Sequence, residues 1–258
     1  MRLTLPQTEP WGKRVPRVVV GGFFGIMRGG LDAQQQPRVV VIDGPAGAGK
    51  STIARELARR LGLSMLDTGA IYRTLALAAS RAGVDWRDEA GLAALCEDFP
   101  IAFESGSDAQ RVLLSGEDVS EEIRTEPISA GASVVSAHPA VRARLLGIQR
   151  KLGEAGCVAE GRDMGTVVFP DATHKFFVTA SPLVRATRRR DERLARGDHD
   201  VPSVDAVRRD IEARDLRDRT RDAAPLTQAE DAVLVDTSAM GPEAVIEHML
   251  ALVLGSNI

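Results

Sequence analysis

One octapeptide constrains this chain more than any other part of it. Gly44-Pro45-Ala46-Gly47-Ala48-Gly49-Lys50-Ser51 fits the pattern G-x-x-x-x-G-K-[ST] at every fixed position. It follows the β-branched run Val39-Val40-Val41-Ile42, which suits a strand buried on both faces of a parallel sheet. A helical pattern follows over residues 50–61, with Gly62 placed to cap it. Strand, glycine turn and helix in this order form a phosphate cradle. Glycines let backbone N–H groups curl around phosphate oxygens. The helix start adds unpaired donors and partial positive charge. Lys50 is placed to reach β- and γ-oxygens, and the Ser51 hydroxyl to ligate Mg²⁺. The motif identifies a nucleoside triphosphate site and leaves the reaction open.

Strand patterns at 39–42, 63–66, 157–159, 175–178 and 233–236 alternate with helical patterns at 50–61, 69–81, 87–97, 126–137, 139–152, 181–196, 203–221 and 242–254. This alternation predicts an α/β fold with a mainly parallel sheet. Residues 99–117 break the pattern: two short apolar runs flank Ser105-Gly106-Ser107-Asp108 and read as a hairpin. Residues 1–37, with two glycine pairs and a Gln34-Gln35-Gln36-Pro37 run, read as a poorly ordered extension or an over-long start, Met27 being one candidate initiator. They lack the clean apolar core of a signal peptide.

Composition narrows the function classes. With 44% hydrophobic and 27% charged residues over 258 positions, the chain is ordinary for a globular protein. No apolar run approaches the ~20 residues of a membrane helix. A net charge of -3 argues against a strongly basic nucleic-acid binder. The two cysteines, Cys96 and Cys157, read as buried reduced thiols, so a reducing, cytoplasmic compartment is expected. A GTPase would carry Asn-Lys-x-Asp, yet the only asparagine is Asn257; Asp88-Glu89-Ala90-Gly91 fits D-x-x-G but reads as a solvated helix start. The length suits a small-molecule kinase, which has to hold a second anion facing the γ-phosphate and therefore needs converging arginines. Candidates lie in Asp67-Thr68-Gly69-Ala70-Ile71-Tyr72-Arg73, in Glu160-Gly161-Arg162-Asp163-Met164-Gly165-Thr166, and in the run holding Arg214, Arg217, Arg219 and Arg221.

These segments together resemble bacterial cytidylate kinase. The matching stretches read GPAGAGKST, DTGAIYR, GEDVSEEIRT, GRDMGTVVFPDA and RDLRDRTRDAAPL, and the resemblance runs from about Val39 to the C-terminus. The resemblance implies a P-loop nucleoside monophosphate kinase fold: a five-stranded, mainly parallel sheet flanked by helices, an enlarged monophosphate-binding region and a short helical lid. The corresponding expectation is a core at 38–66, 155–182 and 230–258, a monophosphate-binding region at about 67–153 and a lid at about 185–221. It also implies ATP and Mg²⁺ bound by Gly44, Pro45, Ala46, Gly47, Ala48, Gly49, Lys50, Ser51 and Thr52, with Arg188 near the ATP phosphates together with Arg185 and Arg189. Catalytic roles fall on Lys50, Arg162 and Asp163. Ser133, Arg142 and Asp163 match positions that read cytosine, with Thr68 in the same pocket; Arg73, Arg162 and Arg221 match positions that grip the monophosphate; Arg214 and Asp218 match positions that contact the sugar. The implied partners are CMP, dCMP and ATP, for a monomer with no nucleic-acid or membrane partner.

The residues themselves support these roles unevenly. A carboxylate at 163 accepts from the cytosine amine and faces an acceptor in uracil, while Arg142 and Ser133 donate to the ring acceptors. Taken singly, Ser133 reads as a helix-surface serine, Arg142 as a solvated helix residue, Asp163 as a loop cap and the 214–221 run as i,i+4 ion pairs on an exposed helix. A different P-loop kinase, or a nucleic-acid module using residues 185–221, are the rival readings. The latter segment has 12 arginines against 9 acidic residues, and no aromatic follows Phe177, which argues against base stacking.

Overall fold

The computed structural model describes residues 39–105 and 110–255. The expected N-terminal extension at 1–37 lies outside the described residues, as does the tip of the hairpin. The elements run β1 (Val39–Asp43), α1 (Lys50–Leu61), β2 (Ser64–Asp67), α2 (Thr68–Arg81), α3 (Glu89–Leu95), β3 (Ile101–Ser105), β4 (Gln110–Leu114), β5 (Glu117–Asp118), α4 (Glu126–Val135), α5 (Pro139–Gly153), β6 (Cys157–Glu160), β7 (His174–Thr179), α6 (Pro182–Ala195), α7 (Val204–Thr220), β8 (Val233–Asp236) and α8 (Pro242–Leu254). A π-helical turn occupies Met164–Val168. The chain divides into two compact units, described residues 70–145 and the remainder.

The larger unit is built on a five-stranded sheet in the order β2-β6-β1-β7-β8, with every pairing parallel. This is the five-stranded parallel sheet expected. Val40, Val41 and Ile42 of β1 are fully buried, as their uninterrupted β-branched run requires. On one face, α1 directs Ile53, Ala54, Leu57, Ala58 and Leu61 at helical spacing onto Val40, Ile42, Val158, Phe176 and Val178, alongside Val245, Ile246 and Met249 of α8. Burying each such leucine, isoleucine or valine side chain contributes roughly 1.5–3 kcal/mol. Gly62 ends α1 in the left-handed conformation (φ 66°), as expected of its cap. Because the chain leaves β1 for β2 on one side and returns through β6 and β7, its strand order reverses beside β1. The crevice at the carboxyl ends of the strands is where open α/β sheets bind ligands.

In the smaller unit, β3 and β4 form the expected antiparallel hairpin, with Ile101 opposite Leu114. A third strand, β5, adds to β4; two residues are too few for an alternating pattern to register in sequence. The helix expected at 87–97 is shorter, because Asp88 caps it by accepting from the Gly91 N–H at 3.0 Å. The D-x-x-G match is thus a helix start. Gly131 of α4 leaves room for the Trp86 ring, whose atoms would lie 2.6 Å from a Cβ there, and the Trp86 Nε1–H donates to the Ala76 carbonyl at 2.9 Å.

Both cysteines are buried and unbridged. Burial pushes the thiol of Cys96 up to about 11 and that of Cys157 up to about 12. Among the described residues, no helix is long and apolar enough to cross a membrane, and no cluster of three or more His, Cys, Asp or Glu is arranged to hold a metal.

Candidate active site

The glycine loop leaves β1 at Asp43 and turns into α1 with three positive-φ glycines: Gly44 (142°), Gly47 (73°) and Gly49 (87°). Gly44 admits no side chain, since a Cβ there would lie 2.0 Å from the Val178 carbonyl oxygen; at Gly47 the Arg185 carbonyl would be 3.1 Å away. Gly49 caps α1 without a side-chain acceptor, so the first N–H groups of the helix remain directed at the loop. Lys50 is buried, and its Nζ donates to the Pro45 carbonyl at 2.8 Å. Burial, reinforced by the like charges of Arg162 and Arg214, pulls its ammonium down to about 7, while Glu160 and Asp43 act in the other direction. Ser51 and Thr52 begin the helix with exposed side chains. Arg188 donates to the Thr237 Oγ1 and carbonyl, both at 2.8 Å, and its Nη1 lies 3.9 Å from a Cβ built at Gly49.

A second cluster stands at the end of β6. The Arg162 Nε donates to Asp218 Oδ2 at 3.0 Å. Arg221 lies between two carboxylates, 3.7 Å from Asp163 and 3.8 Å from Asp218. Burial opposes ionisation of Asp218, but Arg162, Arg214 and Arg221 outweigh it and hold the carboxyl below its ordinary value. Burial likewise opposes the charge of Arg162, and Asp218, together with Asp215 and Glu160, outweighs it and holds the guanidinium above its ordinary value. The structure therefore corrects the reading of 214–221 as exposed i,i+4 pairs. Asp215 and Asp218 are buried and pair with arginines 30 and 56 positions away, on α6 and after β6. Thr68 donates its hydroxyl to the Glu160 carbonyl at 2.7 Å, bringing β2 to the same end.

Asp163 is buried rather than a surface loop cap, and its side chain makes no capping bond to the π-helical turn that follows. Asp43 holds that turn instead, accepting from the Met164 N–H at 2.9 Å and the Gly165 N–H at 2.8 Å. Burial raises the Asp43 carboxyl to about 6 despite these two bonds and the nearby Lys50; Asp163 adds to the rise. Sequence reading did not select Asp43. Its position immediately before the loop, at the end of an apolar strand, was the available signal.

Within the smaller unit, Arg73 sits one turn into α2 and is half-buried. Ser133 (4% exposed) and Arg142 (8%) are both buried, which corrects their single-residue readings as surface positions. Arg142 lies over the Tyr72 ring, 5.4 Å from its centroid, and donates to the Ser136 carbonyl at 3.2 Å, the arrangement of a cation–π contact.

The family model for cytidylate kinase matches residues 40–254. The chain belongs to the cytidylate kinase family. Among curated relatives, the cytidylate kinase of Syntrophotalea carbinolica is 52% identical over 216 residues, covering 83% of this chain and 91% of its own length. That of Mycobacterium leprae is 49% identical, covering 83% and 95%, and that of Pseudomonas aeruginosa is 51% identical, covering 82% and 93%. A solved shikimate kinase from Acinetobacter baumannii overlays 88% of this chain and 98% of its own at 14% identity, with a TM-score of 0.43, too low to bear on function. As a cytidylate kinase family member the chain is a phosphotransferase, with ATP as the donor that such a kinase uses.

Proposed function

We propose that this chain transfers the γ-phosphoryl group of ATP to CMP or dCMP, giving ADP and CDP or dCDP. The observation that carries the reading is local to the larger unit. A glycine cradle with a buried lysine stands at the end of β1, and an Arg162–Asp218–Arg221–Asp163 cluster stands at the end of the adjacent β6. One region suits a triphosphate and the other a second anion, as a monophosphate acceptor demands.

In the reaction, an oxygen of the acceptor phosphate forms a bond to the γ-phosphorus while the bond from phosphorus to the β–γ bridging oxygen breaks, and ADP departs. The acceptor is already anionic, so no side chain has to remove a proton. Positioning and charge compensation do the catalytic work. Lys50, Arg162 and Arg221 stabilise charge spread over the transferring group. Mg²⁺ fits the residues present: the exposed Ser51 hydroxyl at the start of α1 would supply one hard oxygen, the ligand type this ion prefers. When bound it neutralises phosphate charge.

The finer assignments are part of the same proposal. Residues 67–153 bind the monophosphate and 185–221 act as the lid. Arg73 joins Arg162 and Arg221 on the acceptor phosphate, Arg214 and Asp218 hold the sugar, and Thr68, Ser133, Arg142 and Asp163 read the base. The motif match supports these roles, and the burial of Ser133, Arg142 and Asp163 suits side chains that act away from bulk water. The protein is proposed to act as a cytoplasmic monomer on small molecules alone. A nucleic-acid role for 185–221 is disfavoured by ion pairing of Arg185, Arg193 and Arg196 with Asp215, Asp198 and Glu192. The test is a panel of nucleoside monophosphates and small hydroxy acids with ADP release as readout. CMP and dCMP are expected to lead in kcat/KM by about tenfold or more; leadership by another acceptor overturns the reading.

A further inference from the structure

Among the described buried charges outside the two clusters, one pair stands directly against the glycine loop. Arg185 of α6 and Asp215 of α7 are each 4% exposed and bridged by hydrogen bond. Asp215 Oδ1 accepts from the Ala46 N–H at 3.1 Å. The Arg185 Nη1 donates to the Ala46 carbonyl at 2.9 Å, and its Nε to the Ala180 carbonyl at 2.9 Å. Both polar groups of Ala46 are therefore taken by one ion pair. Its methyl group packs in a small cluster with Ala186 of α6 and Val207 and Ile211 of α7. Gly47, the next residue, has Arg185 backbone and Cβ atoms 3.1–3.2 Å from where a side chain would start.

We propose that Arg185 and Asp215 are positioning residues that hold the leading arm of the glycine loop in its phosphate-binding shape and tie that shape to the α6–α7 hairpin. A phosphate cradle needs its N–H groups turned inward and its carbonyls turned away. Arg185 draws the Ala46 carbonyl toward α6, and Lys50 draws the preceding Pro45 carbonyl. Asp215 fixes the Ala46 peptide from its other end. Ala46 thus supplies no donor to the ligand, and the inward donors are those that follow it. A buried ion pair is weak evidence of stability, because an apolar replacement often serves as well. Such a pair does fix relative orientation once all its partners are in place. Here the orientation fixed is that of the loop on the α6–α7 hairpin.

The proposal rests on the reading of this loop as the ATP phosphate site, and the experiment separates the two. Wild type, Asp215→Asn, Arg185→Lys and the exposed-site control Leu254→Ala, on α8 and 44% exposed, are compared for kcat, for KM of ATP and of CMP, for thermal midpoint, and for amide hydrogen exchange over residues 44–61. Wild type without ATP-dependent CMP phosphorylation sinks the function reading. With wild type active, Asp215→Asn and Arg185→Lys are expected to lose about 10²-fold in kcat/KM for ATP through displacement of the loop. KM for CMP should move less than about twofold. Exchange should speed up at 44–49 and stay unchanged along α1, and Leu254→Ala should behave as wild type. A merely structural pair would lower the thermal midpoint and leave both kinetic constants of the folded fraction and the loop exchange unchanged. That result in either variant overturns the proposal. If Asp215→Asn does not fold, Arg185→Lys, which keeps the charge while losing the separate bonds to Ala180 and Ala46, decides alone.

Discussion

The two ends of the proposed reaction are prepared in opposite ways. On the donor side the loop is shaped by backbone. Gly44 and Gly47 permit close approach to Val178 and Arg185, and the one charge at its heart, Lys50, is buried with its charged form disfavoured. On the acceptor side, at the end of β6, the charges are already matched: Arg162 with Asp218, and Arg221 with Asp163 and Asp218. A triphosphate arriving at the loop relieves an unfavourable charge. On the proposed assignment, a monophosphate at the second cluster would compete with the carboxylates that hold its arginines in place. On the proposed roles, the loop would favour affinity and the cluster order and selection.

The sharpest way to break this contrast is Lys50→Ala. With the lysine gone, turnover should fall by about 10²–10³-fold or more, as when a transition-state donor is removed. Circular dichroism should be unchanged; near-normal turnover would refute the role. The matched side should respond through folding instead. Asp218→Ala leaves Arg162 and Arg221 without their shared carboxylate and should cost roughly 3–5 kcal/mol in urea unfolding. A loss within about 0.5 kcal/mol, the range of an ordinary surface substitution, would mean the cluster is not pre-paired in solution.

Titration sharpens the same contrast. With Lys50 at about 7 when empty, against 10.5 for a free lysine, the unfolded chain binds more protons between these values. The empty protein should therefore gain stability as pH rises from 7 toward 10.5. Bound phosphates restore the charge, so ATP binding near pH 8.5 should take up about one proton and weaken as pH rises further. Calorimetry in buffers of different ionisation heat reads this uptake, and Lys50→Met should abolish it. Asp218 behaves in reverse. Its pKa is depressed, so its contribution is present above its ordinary value of 3.8 and is lost as pH falls through the lower folded value. A smaller effect is expected at Asp163. Asp163→Ala should narrow the CMP-to-UMP ratio of kcat/KM by about tenfold, and an unchanged ratio would remove it from base selection.

How much of this was legible in the chain depends on how local each feature is. The helix at Lys50–Leu61, its Gly62 cap and the strand at Val233–Asp236 carry their own periodicity and punctuation, and the structure places them as read. The π-helical turn at Met164–Val168 could not be anticipated, since its wider turn leaves no 3.6-residue signature in five residues. The burial of Ser133 and Arg142 was equally hidden, because a single polar side chain on a helix does not say what packs over it. Asp215 looked like one of several acids alternating with arginines, yet its partners are Arg185 and Ala46, 30 and 169 positions away. Such pairings are set by which helix and loop pack beside which, and no short window along the sequence contains them.

The two thiols carry a practical consequence. Sealed in the interior and held far from ionisation at neutral pH, they make sluggish targets for maleimides and other sulfhydryl reagents. A single cysteine introduced on the outer surface of α7 would then take up a fluorophore or spin label against a silent background, and such a label would report directly whether the proposed lid moves during turnover.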